Sequence, residues 1–134
     1  MAEVTELRVA LTVTDFERAV AFYRDALGLE QIEDWSSDEG KVILLSAGRA
    51  TLELLDEAQA GLVDRIEAGR RVAGTVRLAL EVTDSDEMAG RLAAAGARTV
   101  AEPVVTPWGD RNARVEAPDG MQLTLFSGSP YETA

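Results

Sequence analysis

The sequence predicts an α+β domain built from two βαβββ modules whose strands curve around a shared, barrel-like cleft. Three observations carry that prediction: a strand-like stretch written twice, the same order of elements after each copy, and turn residues closing each element. The stretch Leu7–Asp15 (LRVALTVTD) returns sixty-nine residues later as Val76–Asp84 (VRLALEVTD), with six of nine positions identical. A repeat of that kind sets the architecture before any other signal is weighed. Both copies alternate, with Leu7, Val9, Leu11 and Val13 on one face and Arg8, Ala10 and Thr12 on the other. The second copy does the same, setting Val76, Leu78, Leu80 and Val82 against Arg77, Ala79 and Glu81. Period two is the pitch of a strand, so each copy has one apolar face to bury and one mixed face on which function is expected.

The elements follow in order. Thr14 with Glu17 three residues on has capping-box spacing. Phe16, Ala19, Val20, Tyr23, Ala26 and Leu27 then recur at helical spacing until Gly28 ends the helix. Strands are expected over 29–36, 41–46 and 50–56, separated by the turns Ser37–Gly40 and Ala47–Arg49. Residues 57–74, with Gly61, Gly69 and Gly74 among alternating charges, read as a connector holding at most a short helix over 62–68. The second module starts with a strand over 75–83. A helix capped by Asp84 follows, with Glu87 three residues later, and is weakened by Gly90, which costs about 1 kcal/mol relative to alanine. Strands over 98–105, 110–117 and 121–126 complete it, with a polar tail over 127–134. The division is therefore residues 1–56, 57–74 and 75–134 within one structural domain. Neither half can bury its sheet alone, so the concave surface between them is the expected ligand site.

Composition removes several functions. A formal charge of −11 disfavours nucleic acid and anionic membranes. The longest apolar run falls far short of the roughly 20 residues that span a bilayer. The acidic N-terminus lacks the layout of a secretion signal, so a cytoplasmic location is expected. There is no cysteine and no histidine, which excludes thiolate nucleophiles, histidine-based triads and imidazole metal sites. No cofactor is expected, and any metal would need oxygen ligands.

With its duplicated unit, Val13-Thr14-Asp15, Phe22-Tyr23, Leu27-Gly28, Trp108-Gly109-Asp110-Arg111 and Ala117-Pro118-Asp119-Gly120, the chain resembles the vicinal oxygen chelate superfamily. That group includes glyoxalase I, extradiol dioxygenases, fosfomycin-resistance enzymes and bleomycin-resistance-type binding proteins. The resemblance implies metal ligands on the first and last strands of each module, at positions that here hold Arg8, Glu53, Arg77 and Thr124. Only Glu53 can bind a metal, since a guanidinium has no lone pair to offer and stays charged at working pH. A homodimer is likewise implied by the resemblance alone.

Candidate ligand-binding residues are Arg8, Thr12, Trp35, Glu53, Leu55, Arg77, Trp108, Thr124 and Phe126, with no catalytic residue and no metal ligand assigned. A guanidinium can grip an oxyanion; equally, Glu53 can pair with an arginine as a buried plug. The two tryptophans suit an aromatic or bulky ligand or, alternatively, an interface. The expectation is a metal-free protein that sequesters a small molecule, such as an antibiotic or other natural product, in the manner of the bleomycin-resistance type. Its rival is a metal-independent lyase, isomerase or cyclase in which Arg8 and Arg77 stabilise an oxyanion and Glu53 moves the proton. A third reading is a module whose cleft binds another protein.

Overall fold

The structure, a computed structural model, describes residues 2–128. Most of the tail expected after the last strand, from residue 129 on, lies outside the described residues. Eight strands form one curved sheet in the order β2-β3-β4-β1-β5-β8-β7-β6. The first four are β1 (Val4–Val13), β2 (Glu30–Asp34), β3 (Val42–Ala47) and β4 (Ala50–Asp56). The second four are β5 (Val76–Val82), β6 (Arg98–Val105), β7 (Arg111–Glu116) and β8 (Gln122–Ser127). The two copies of the repeat pair with each other, antiparallel, at the centre of the sheet, with Arg8 opposite Ala79 and Ala10 opposite Arg77. The halves thus join within one chain.

The apolar face of the repeat packs under helices. Helix α1 (Phe16–Val20) lies against Leu11, Val13, Ile43, Leu45 and Leu54. Helix α3 (Ser85–Ala94) places Met88 against Val82, Ala113, Val115 and Leu125. Asp84 caps α3 by accepting a hydrogen bond from the Glu87 amide at 3.0 Å, as its position predicts. At α1 the cap is Asp15, which accepts from Arg18 at 3.1 Å, rather than Thr14. Its carboxylate satisfies an orphan amide and adds negative charge at the positive end of the helix dipole. Glu17, freed from the expected capping box, pairs instead with Lys41 at 3.2 Å. The helix then widens into a π turn over Ala21–Ala26, with the Leu27 amide donating to the Phe22 carbonyl, before Gly28 turns the chain at a φ of 86°.

The largest departure from expectation lies between the halves. A three-turn helix, α2 (Glu57–Ala68), fills most of the connector, capped by Asp56 at 2.8 Å and ended by left-handed Gly69. Its buried positions are Ala60, Gly61, Val63, Asp64 and Glu67. They fall at helical spacing, but a stripe of small residues and acids carries no hydrophobic signal, so periodicity underestimates the helix. Helix α2 contacts β4, β1, β6 and β7, bridging the two halves. Gly40 admits its first turn: an added Cβ there would lie 2.5–2.7 Å from Gln59 atoms.

Candidate functional site

The mixed face of the repeat lines a cavity of about 490 Å³ at the middle of the sheet. Strand register explains what meets there. Ala10 lies opposite Glu53 on β4 and opposite Arg77 on β5. Ala79 lies opposite Thr124 on β8 and opposite Arg8 on β1. The two alanines leave room into which the long side chains of both arginines fold.

Glu53, 7% exposed, stands between the guanidinium groups, 3.6 Å from Arg8 Nη1 and 3.7 Å from Arg77 Nη2. Those are ion-pair distances but exceed hydrogen-bonding length, so the carboxylate is held loosely. Arg77 donates one hydrogen bond, to Thr124 Oγ1 at 3.0 Å. Burial pushes the Arg77 pKa down, opposed chiefly by the Glu53 carboxylate, and an arginine remains a cation at working pH regardless. Arg8 is also tied to Glu6, Nε to Oε2 at 3.1 Å and Nη2 to Oε1 at 3.2 Å.

Beside this group lies a second charged cluster that sequence reading missed. Arg114 on β7 is fully buried and binds two acids of α2, Asp64 at 2.9 Å and Glu67 at 2.8 Å. Asn112 donates to the other oxygen of Glu67 at 2.8 Å. Burial raises the Asp64 pKa, but the Ala73 and Val72 amides, Arg114 and Arg71 outweigh it and hold the carboxyl below its ordinary value. Glu67 and Asn112 reach the cavity wall, with Gln59 and Val63 of α2. Their only sequence signal is two acids at positions 64 and 67, which reads as a solvated helix face until their partners on β7 are known.

Of the nine expected binding residues, Arg8, Trp35, Glu53, Arg77, Trp108, Thr124 and Phe126 line the cavity. Leu55 and Thr12 are not among its lining residues. Leu55 is 2% exposed and packs with Ala10 and Val42, because α2 begins two residues later and folds back on β4. Thr12 donates its amide to the Thr75 carbonyl where β1 and β5 part. Trp35 and Trp108 are each 45% exposed and present large apolar surface at the cavity.

The donor set does not fit a divalent cation. Among the described residues no group of three or more histidine, cysteine, aspartate or glutamate side chains could hold one. Two guanidiniums already neutralise Glu53 and would repel an incoming metal. Nor is any described helix long and apolar enough to cross a membrane.

The model of the Glyoxalase/Bleomycin resistance protein/Dioxygenase superfamily matches residues 7–125. No curated protein matches the sequence significantly. Among solved structures, the chain is similar to methylmalonyl-CoA epimerase from Mycobacterium tuberculosis at 25% identity, covering 97% of this chain and 92% of that one, with a TM-score of 0.67. A Streptomyces coelicolor methylmalonyl-CoA epimerase variant in complex with 2-nitronate-propionyl-CoA is 20% identical, with 94% and 99% coverage and a TM-score of 0.67. A glyoxalase/bleomycin resistance protein/dioxygenase superfamily member from Vibrio splendidus 12B01 is 18% identical, with 91% and 97% coverage and a TM-score of 0.64. The epimerases overturn the expectation of antibiotic sequestration. An epimerase is an isomerase, and the neighbour at 25% identity favours the isomerase alternative over sequestration.

Proposed function

The chain belongs to the glyoxalase/bleomycin resistance protein/dioxygenase superfamily, and from that premise we propose that it is a metal-independent isomerase or lyase acting on a small carbonyl or carboxylate substrate. The observation that carries the reading is one loosely held carboxylate between two guanidiniums, in the cavity and at the strand positions where the resemblance places metal ligands. An enzyme that removes a proton next to a carbonyl needs a base and a fixed positive charge for the oxygen on which the electrons settle. Glu53 takes the α-proton, and the C–H electron pair moves onto the carbonyl oxygen. Arg77, with unused N–H donors, holds the resulting enolate. Returning the proton to carbon completes an isomerisation; expelling a β-substituent completes an elimination. No electron acceptor is required in either case.

The rest of the ligand lies against Trp35, Trp108 and Phe126, which supports an aromatic or bulky body. The same reading keeps the protein as a cytoplasmic homodimer that needs no cofactor, with modules at residues 1–56 and 75–134. The experiment is α-proton exchange in D2O after EDTA treatment, followed by mass spectrometry across 2-oxo acids, aryl acids and acyl thioesters including methylmalonyl-CoA. Exchange that survives EDTA and falls by about 10²–10⁴ in Glu53→Gln is expected. Exchange abolished by EDTA, or unaltered in Glu53→Gln, refutes the assignment. A ligand that binds and never exchanges marks a binding module.

A further inference from the structure

The repeat places Arg8 and Arg77 at equivalent positions, and both face Glu53, yet their other contacts differ. Arg8 is clamped by both oxygens of Glu6, two residues earlier on the same face of β1. Glu6 is itself held by the Thr51 hydroxyl at 2.6 Å. The position equivalent to Glu6 in the second copy, sixty-nine residues on, is Thr75, which carries no charge to make such a clamp. The Arg8 guanidinium carbon also lies 4.8 Å from the centre of the Phe126 ring and 5.4 Å from that of Trp35, so both aromatics draw on one cation. Strand register equates Phe126 with Leu55, since Glu81 pairs with Phe126 as Thr12 pairs with Leu55. Leu55 is packed away with Ala10 and Val42, and Arg77 has no aromatic partner among the described residues. Arg77 is left with one hydrogen bond and its charge against Glu53.

We propose that the two arginines have divided the work: Arg77 is the guanidinium offered to the ligand, and Arg8 is a positioning residue that fixes Trp35 beside Phe126 and so sets which ligand bodies the cavity admits. Trp35 is 45% exposed and has no hydrogen bond among the described residues other than its backbone amide to the Val42 carbonyl, which leaves the Arg8 guanidinium as the one charged group against its ring. The assignment refines the oxyanion reading above and rests on it for the role of Arg77. The role of Arg8 can be tested without any ligand.

The sequence has only two tryptophans, so two indole N–H resonances report on the cavity mouth and Trp35→Phe identifies one of them. In the ligand-free protein, Arg8→Met is expected to move the Trp35 resonance strongly and the Trp108 resonance little, whereas Arg77→Met leaves Trp35 in place. Arg8→Lys is the second variant, because it keeps the charge but loses the planar fork and should reproduce the Trp35 shift. A Trp35 resonance that stays put in Arg8→Lys, or moves equally in Arg77→Met, overturns the proposal.

The ligand arm uses phenylpyruvate and pyruvate. Arg77→Met should weaken both acids by about tenfold or more, the loss of one charge-assisted contact. Arg8→Lys should instead reduce the preference for phenylpyruvate over pyruvate by about fivefold, the worth of one aromatic contact. If both variants weaken the two acids alike and leave that preference intact, the division of roles is wrong while the oxyanion reading stands. If Arg77→Met affects neither acid, the oxyanion reading falls and with it the role of Arg77, and the ligand-free comparison alone judges Arg8.

Discussion

Replacing Arg114 by methionine tests how α2 is held across the sheet. The side chain has no solvent exposure and pairs with both Asp64 and Glu67, at 2.9 and 2.8 Å. Asp64 would keep Arg71 at 2.9 Å and the Val72 and Ala73 amides at 2.8 Å. Glu67 would keep one hydrogen bond, from Asn112, and the charge of Arg77 beyond hydrogen-bonding reach, so most of the uncompensated charge falls on Glu67. Breaking a buried pair by removing one partner costs about 3–5 kcal/mol, a large share of the roughly 5–15 kcal/mol that holds a domain together. With a urea dependence of about 1.5 kcal/mol per molar, the unfolding midpoint should drop by about 2–3 M. Substituting Glu67 as well removes the stranded charge, so Arg114→Met with Glu67→Met should be more stable than Arg114→Met alone. Equilibrium urea unfolding of the four proteins in that cycle decides the matter. A single-variant loss under about 1 kcal/mol, or a double variant less stable than the single, would refute the view that this buried network fastens the helix.

The pH response follows from Asp64, whose carboxyl is held below its ordinary value in the fold. A depressed folded pKa contributes stability that is present above the unfolded value of 3.8 and lost as pH falls through the folded one. Unfolding midpoints should therefore decline below about pH 4, and Asp64→Asn should show a shallower decline there; an equally steep one removes Asp64 from the cause. Gly40→Ala drives a Cβ to 2.5 Å from the Gln59 amide nitrogen, and overpacking of this kind costs about 1–3 kcal/mol. Thermal unfolding measures it, and a neutral change would mean that α2 is free to shift. Asp84→Ala should cost about 1 kcal/mol by exposing the Glu87 amide it caps, while Asp84→Asn should cost less than half of that.

The alternation in β1 and β5, the repeat that equates them and the acidic starts of α1 and α3 are local properties, which is why the sequence alone determined the strands, the duplicated order and the face that carries the site. It also determined that two guanidiniums occupy positions where the family resemblance expects metal ligands. Helix α2 was beyond that reading because its inward face is two carboxylates and small residues. Burial of a charge becomes intelligible only beside its partner, and Arg114 is forty-seven residues from Glu67. Nor could the repeat say that its two arginines differ, for the clamp of Glu6 and the rings of Trp35 and Phe126 come together only when three separate strands or strand ends meet. Periodicity records which way a residue faces. What that residue can do once there depends on neighbours distant in the chain, and only the tertiary structure decided those.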